Sequence, residues 1–446
     1  MSNSIKTFGK IKPFKDVISV DGDKSISIRW LLLASQAIGK SRAYGLLKSE
    51  DVLSTINCLS KLGVKINSCK KYCEVIGVGL NGFKIKNDIT LNAGNSGTLA
   101  RLILGLLIHS KKNIKIIGDK SLSRRDFKRV IKPLKKFGAH FKSKKKGLPL
   151  VIIGTDKPRP INYFENKGSA QCKSSIMLAS LNTPGKTFIK ARKSRNHTEL
   201  FFKNLKIPIK IKKIKNYDII EVRNIKKIKP INYKIPSDIS SSAFFMVLTA
   251  LSENSEIVIK NVNINPSRIG IITILKKMGV KIFLKRKRLY KNEEIANIYV
   301  KSSSNLKSIK CPPELNSSAI DEFLLIFLVA AKAKGVSTFK NLAELNQKES
   351  PRLKWGSKIL NLIGIKNEVT KDSIKIYGNP KLVNKNKIVI KNYLKDHRIF
   401  MTSVIASLIF GGEWQIKDPS SVKTSFPTFL KIIRKLDKNT NIKIFN

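Results

Sequence analysis

One short pattern recurs along this 446-residue chain and restricts what it can fold into. An amphipathic helix end is followed by an apolar residue, a glycine and a β-rich tail. It reads LSKLGVKI at Leu59–Ile66, LKKFGAHF at Leu134–Phe141, LKKMGVKI at Leu275–Ile282 and LNLIGIKN at Leu360–Asn367. Weaker copies are KNLKIPIKI from Lys203 and RKLDKNTNIKI from Arg434, with Lys206 and Asp437 at the glycine position. Positions 63, 138, 206, 279, 364 and 437 lie roughly 68 to 85 residues apart, the period of a supersecondary unit. Glycine at a helix C-terminus adopts the left-handed conformation cheaply, and the alternation after it is a strand. Strand and helix material precedes each copy, as in IKIIGDK before an expected helix from about Ser123 to Phe137. Six α/β units are therefore expected, three on each side of a break near Lys234–Pro236, with a ligand cleft between the halves.

Charge is the next constraint. Lys and Arg number 87 against 30 Asp and Glu, a net +57, which raises the question of a polyanionic partner. The basic residues are scattered along the whole chain, with local runs such as Lys142–Lys146 and Lys226–Lys229. Aromatic residues are only 7%, too few and too dispersed to form stacking platforms within a basic patch. Compositional bias, with most runs as solvated faces, explains this better than nucleic-acid binding.

The five cysteines are Cys58, Cys69, Cys73, Cys172 and Cys311. They form no zinc-ligand spacing, and their odd number fits a reducing compartment. The N-terminal segment lacks the apolar run of a secretory signal, and no stretch of about 18 apolar residues occurs. A cytoplasmic protein without a membrane span is expected.

Several polar clusters precede apolar helices. DGDKSISIRWLLLA (Asp21–Ala34) gathers Lys24, Ser25, Ser27 and Arg29 at a helix start, where N–H groups and cations attract anions. A capped helix with basic residues facing solvent would look the same. LNAGNSGTLARLILGLL (Leu91–Leu107) has Gly94 and Gly97, which let backbone approach a ligand, flanked by Thr98 and Arg101. It matches neither the Walker loop nor the dinucleotide fingerprint. GSAQCKSSIMLASL, SRNHTELF and DHRIFMTSVIASL offer further hydroxyls, amides and guanidinium groups. Singly each is an ordinary N-cap; together they fit several anionic groups bound at once. Among the scarce acids, Asp321 and Glu322 open an apolar helix, where a carboxylate has a simple structural reason. Glu349 lies between Lys348 and Arg352, either as a surface ion pair or as a proton-transfer carboxylate held among cations.

Taken in order, these clusters resemble the EPSP synthase family of enolpyruvyl transferases over nearly the whole chain. GDKSIS with Arg29, AGNSGT with Arg101, SLSRRD, SAQCKSS and SRNHTE are similar to its first-half motifs. PSDISSSAFF, NPSRIG, IDEFLLI, QKESPR, DHRIFM and TSFPTF are similar to its second-half motifs. Departures are Ile28 for His, Asp126 for Pro, Asn196 for Asp and Pro351 for Asp. Asp126 would set a negative charge beside Arg125 and weaken phosphoenolpyruvate binding.

The resemblance implies an α/β fold of two similar domains, each of three βαβαββ units in an inside-out barrel-like arrangement. The active site would lie in the interdomain cleft. Residues 21–236 would form one domain, and residues 1–20 with 237–446 the other. The implied reaction joins phosphoenolpyruvate to the 5-hydroxyl of shikimate 3-phosphate, with no metal and no organic cofactor.

Carried over position by position, Lys24, Asp321 and Glu349 would be catalytic. Shikimate 3-phosphate would meet Lys24, Ser25, Arg29, Ser169, Gln171, Ser194, Arg195, Asp321 and Lys348. Phosphoenolpyruvate would meet Lys24, Gly97, Arg125, Gln171, Arg352 and Arg398. Planar guanidinium groups suit its phosphate and carboxylate. The family analogy also implies a monomer. Two other readings are a UDP-N-acetylglucosamine carboxyvinyltransferase and a basic nucleic-acid binder on a related fold. The first typically has a Lys-Asn pair and a loop cysteine, where this chain has Lys24-Ser25 and no Cys in Arg124–Arg129. The second has no need of Asp321 and Glu349.

Overall fold

A computed structural model describes residues 4–86, 88–143, 146–438 and 441–445. Part of the Lys142–Lys146 run and part of the last repeat copy, at 439–440, lie outside the described residues. The chain divides into two compact units. One comprises Gly22–Ile235 with Tyr290–Glu293; the other comprises Met1–Asp21, Pro236–Leu289 and Glu294–Asn446.

The Gly22–Ile235 unit contains three four-stranded sheets built by the same rule. In one, Ile89–Asn92 pairs in parallel with Ile114–Ile117, across the helix Gly97–Leu107. A parallel pair needs such a crossover. Leu150–Ile153 then adds antiparallel to Ile114–Ile117, and His140–Lys142 forms the outer edge. The same succession, one parallel pairing and then two antiparallel ones, joins Asn162–Glu165, Lys186–Arg192, Tyr217–Arg223 and Ile209–Ile214. It recurs from Tyr233–Lys234 through Ile38–Tyr44 and Tyr72–Val78 to Lys65–Ser68.

The other unit has two four-stranded sheets and one of three strands. In its first sheet Lys387–Ile390 runs parallel to Glu413–Lys417. The N-terminal strand Ser4–Phe8 lies between Glu413–Lys417 and the outer strand Ile442–Phe445, antiparallel to both. Lys15–Ile18 similarly pairs in parallel with Glu256–Asn263.

Two kinds of helix serve these sheets. Lys24–Ser35, Gly97–Leu107 and Ala170–Ser180 in one unit, and Ile239–Leu251, Phe323–Lys332 and His397–Phe410 in the other, are buried on nearly every side. Such all-round burial requires apolar residues without a polar stripe, which is how their sequences read. Polar motif residues collect in the first turn or, as with Asp321 and Glu322 ahead of Phe323–Lys332, just before it.

Glu50–Lys61, Lys128–Lys136, His197–Asn204, Gly270–Lys277, Arg352–Leu362 and Phe429–Leu436 form the second kind. Each ends in a left-handed residue and feeds an outermost strand: Gly63, Gly138, Lys206, Gly279, Gly364 and Lys438 all have positive φ. The sixth copy is thus displaced by one residue from its expected place. Asp437 is the right-handed C-cap, and Lys438 takes the left-handed position. The helix expected from Ser123 to Phe137 is also broken, into Lys120–Ser123 and Lys128–Lys136. Asp126 Oδ1 accepts the Lys128 N–H at 2.7 Å, and the Phe127 N–H turns away to the Lys146 carbonyl, so the second helix starts afresh.

Lysine is a costly occupant of a left-handed site, by roughly 1–2 kcal/mol. At Lys206 the backbone closes as at Gly63, with the residue-206 N–H on Lys203 and the Ile207 N–H on Phe202. Lys206→Gly should therefore stabilise the chain by about 0.5–1 kcal/mol, after allowing for the entropy glycine adds to the unfolded state. A thermal melt showing a lower midpoint would contradict this account. The outer strands also explain part of the charge. Lys210, Lys212 and Lys213, and the run Lys285–Arg288, are exposed on sheet edges, where charge discourages pairing with another chain. Among the described residues, no helix is long and apolar enough to cross a membrane.

Candidate active site

In the Gly22–Ile235 unit the motif residues meet through the starts of the buried helices. Asp23 caps the first of these, accepting the Ile26 N–H at 2.9 Å, so Lys24 and Ser25 form its first turn. Lys24 Nζ donates to Asp51 Oδ2 at 2.9 Å, from the first turn of Glu50–Lys61. Arg29 is only 4% exposed. Its Nε donates to Thr198 Oγ1 at 2.8 Å, its Nη2 to Ser174 Oγ at 3.1 Å and its Nη1 to the Ser25 carbonyl at 3.1 Å. One guanidinium thus ties together the helices Lys24–Ser35, Ala170–Ser180 and His197–Asn204. A second tie lies beside it, where Lys173 Nζ and Glu199 Oε1 form a buried ion pair at 2.5 Å.

Gln171 links Ala170–Ser180 to the glycine loop. Its Oε1 accepts from Arg101 Nη1 at 2.7 Å, and its Nε2 donates to Thr98 Oγ1 at 3.1 Å. Arg125 Nη2 donates to Asn95 Oδ1 at 3.0 Å, and Ser96 caps the helix through the Leu99 N–H at 3.2 Å. Gly97 is the first residue of that helix. A Cβ added there would lie 3.0 Å from Nη1 of both Arg101 and Arg125, so only glycine leaves these two guanidinium groups in place. An alanine there would push the two guanidinium groups outward by a few tenths of an ångström.

Ser169 is the N-cap of Ala170–Ser180, its Oγ accepting the Cys172 N–H at 3.2 Å and its own N–H donating to Glu165 at 2.9 Å. Ser194 and Arg195 lie in the turn before His197–Asn204. The Ser194 Oγ is buried with no hydrogen-bond partner among the described residues. Asp126 follows Arg125 directly in the chain. Its carboxylate engages the Lys128 N–H, and Arg125 meets Asn95.

In the other unit a second cluster forms around one buried guanidinium. Arg352, 2% exposed, donates from Nε to Asp396 Oδ2 at 2.9 Å and from Nη2 to Asp396 Oδ1 at 3.1 Å. It also donates to Glu349, and its Nη1 lies 3.4 Å from Asp321 Oδ1. Burial opposes the guanidinium charge, but Asp396, Glu349 and Asp321 outweigh it and raise the Arg352 pKa. Burial likewise disfavours the Asp396 carboxylate, yet Arg352 prevails and holds its pKa below the usual range.

Asp321 faces three cations. Lys348 Nζ is 3.3 Å from its Oδ1, Arg398 Nη2 is 4.0 Å from its Oδ2, and Arg398 Nη1 donates to its carbonyl at 2.9 Å. The structure therefore brings Asp321, Lys348, Glu349, Arg352 and Arg398 together. Glu322 does stand at a helix start, where a carboxylate has a simple structural reason. It is the N-cap of Phe323–Lys332 but makes no side-chain cap bond. Asp51, Asp396 and Glu322 were missed as partners of these cations. The sequence signal for Asp396 was its place in DHRIFM, which reads equally well as a plain N-cap, a role it also fills by accepting the Arg398 N–H at 2.9 Å.

Chemically, each cluster offers helix-start N–H groups and fixed guanidinium groups to an anion. The second adds two carboxylates, Asp321 and Glu349, held beside cations and able to move protons.

Comparison with known proteins agrees with this chemistry. A family model for EPSP synthase (3-phosphoshikimate 1-carboxyvinyltransferase) matches residues 9–433. The 3-phosphoshikimate 1-carboxyvinyltransferase of Ruthia magnifica subsp. Calyptogena magnifica is 42% identical over 426 residues, covering 95% of this chain and 96% of the relative. That of Zymomonas mobilis subsp. mobilis is 37% identical over 432 residues, covering 96% and 95%. Among solved structures, EPSP synthase from Acinetobacter baumannii superimposes with a TM-score of 0.86 at 34% identity, covering 100% of both chains. The enolpyruvyl transferase NikO from Streptomyces tendae reaches 0.79 at 12% identity, covering 100% of this chain and 99% of its own, a likeness of fold alone. With the family model spanning nearly the whole chain and relatives aligned almost end to end, this chain belongs to the EPSP synthase family.

Proposed function

We infer that this chain transfers the carboxyvinyl group of phosphoenolpyruvate to the 5-hydroxyl of shikimate 3-phosphate. The products are 5-enolpyruvylshikimate 3-phosphate and inorganic phosphate, on the route to chorismate and the aromatic amino acids. The observation that carries this reading is the cluster of Asp321 and Glu349 with Lys348, Arg352 and Arg398. Two proton-transfer carboxylates held among anion-binding cations are what an addition–elimination on a phosphorylated enol requires.

In the proposed sequence a proton is delivered to the methylene carbon of phosphoenolpyruvate, which makes C2 cation-like. The 5-hydroxyl adds to C2 as its own proton leaves, giving a tetrahedral intermediate. Loss of a methyl proton and cleavage of the C2–O bond to phosphate then regenerate the double bond. Glu349 would serve the methyl carbon and Asp321 the hydroxyl, with Lys24 sharing in proton transfer and contacting phosphoenolpyruvate. Gly97, Arg125, Gln171, Arg352 and Arg398 would hold the phosphate and carboxylate of phosphoenolpyruvate. Ser25, Arg29, Ser169, Gln171, Ser194, Arg195 and Lys348 would hold shikimate 3-phosphate together with Lys24 and Asp321.

The proposal extends to the architecture, with two similar three-unit domains, residues 21–236 and residues 1–20 with 237–446. It also extends to a monomer in a reducing, cytoplasmic compartment, which suits five free cysteines, four of them buried. A run in deuterium oxide tests the chemistry. Mass spectrometry of the enol-ether product should show deuterium at the vinyl carbon, because that carbon passes through a methyl group. A product without solvent deuterium would exclude addition–elimination.

A further inference from the structure

We propose that Glu322 is a positioning residue that sets Arg398 for phosphoenolpyruvate, held in place by a relay of Ser240 and Arg268. This rests on the reading above, in which Arg398 grips that substrate. Glu322 is 1% exposed and stands at the start of Phe323–Lys332, yet its carboxylate does not cap that helix. It turns instead to two other helix starts. Its Oε1 accepts the Ser240 hydroxyl, in the first turn of Ile239–Leu251, and lies 3.9 Å from Arg398 Nη1, in the first turn of His397–Phe410. The Ser240 Oγ in turn accepts from Arg268 Nη2 at 2.8 Å, and that nitrogen also reaches Asp238 Oδ1 at 3.4 Å. Arg268 is 2% exposed. Three helix starts of one unit are thus connected through one buried carboxylate.

The electrostatic need is specific. A buried carboxylate is costly unless paired and hydrogen-bonded. Here the charge lies between a buried guanidinium and a partly exposed one, Arg398, whose side chain is 11% exposed. Arg398 Nη1 donates to the Asp321 carbonyl at 2.9 Å and is drawn electrostatically toward the Glu322 carboxylate at 3.9 Å, which together bias the direction of its remaining donors. Neutralising Glu322 removes one of these two restraints and leaves the cationic groups around Arg398 less balanced.

The test compares Glu322→Gln, Ser240→Ala and Arg398→Lys in the full chain, by phosphate release with each substrate varied. Glu322→Gln should raise the KM for phosphoenolpyruvate about tenfold and leave that for shikimate 3-phosphate within about twofold, with the melting temperature nearly unchanged. Ser240→Ala, which deletes only the hydroxyl, should act about threefold in the same direction and decides the matter should Glu322→Gln not fold. Arg398→Lys separates the two levels of inference. A flat response to it would remove the role of Arg398 itself. A strong response to Arg398→Lys with none to Glu322→Gln or Ser240→Ala would overturn the positioning role alone. So would equal rises in both KM values with a lowered melting temperature, the mark of a merely structural group.

Discussion

Glu349→Gln should lower kcat for phosphate release by about 10²- to 10⁴-fold, the usual contribution of a positioned acid–base group. The substitution keeps the shape of the side chain and an oxygen that can still accept from Arg352. The partners of that guanidinium on Asp396 and Asp321 remain, so the cluster should stay folded. What disappears, on the proposed mechanism, is the group that would take up and return a proton at the methyl carbon. The effect should therefore fall on kcat, with KM for both substrates changing by less than about fivefold and the melting temperature by only a few degrees. A loss in kcat below about tenfold would remove Glu349 from the proton transfers and leave Asp321 and Lys24 as the candidates.

The largest stability effect is expected at Asp396. Asp396→Ala strips the buried Arg352 of two hydrogen bonds, at 2.9 and 3.1 Å, and leaves Ser350 Oγ and the Arg398 N–H without their acceptor. Breaking a buried pair from one side costs about 3–5 kcal/mol, because the remaining charge is uncompensated. For a unit of this size that corresponds to a melting-temperature drop of roughly 6–20 °C. The pH dependence has a definite sign. The folded pKa of Asp396 is depressed, so its contribution is complete above the unfolded value of about 3.9 and is lost as pH falls through the folded one. The wild-type chain should therefore lose more stability on acidification than the alanine variant. A melt lowered by less than about 2 °C would mean that Glu349 and Asp321 alone satisfy Arg352.

The α/β character was legible in the chain because a left-handed helix terminus writes itself as glycine. Gly63, Gly138, Gly279 and Gly364 each mark an amphipathic helix passing into an outer strand. Where lysine occupies that site the signal fades. The flanking pattern still locates Lys206, whereas in the last copy it points to Asp437, one residue before the left-handed Lys438, since neither residue announces positive φ. The periodicity through Ser123–Phe137 runs unbroken and predicts one helix, whereas the Asp126–Lys128 and Phe127–Lys146 hydrogen bonds restart it. The glycine loop and the helix starts were visible as polar residues ahead of apolar runs.

Pairing was not visible. That Lys24 meets Asp51, that Arg352 meets Asp396 and that Glu322 meets Ser240 depends on which helix starts the topology places side by side. An aspartate at an N-cap has the same sequence signature whether or not it also carries a buried arginine. Sequence pattern reports what one segment wants, and these contacts are agreements between segments far apart in the chain.

The most direct test of the account is phosphate release by the purified full chain given phosphoenolpyruvate and shikimate 3-phosphate, separately and together. The account predicts release only when both are present, in step with the enol-ether product. Well-folded protein that releases no phosphate across pH and salt, or that releases it from phosphoenolpyruvate alone, would contradict it.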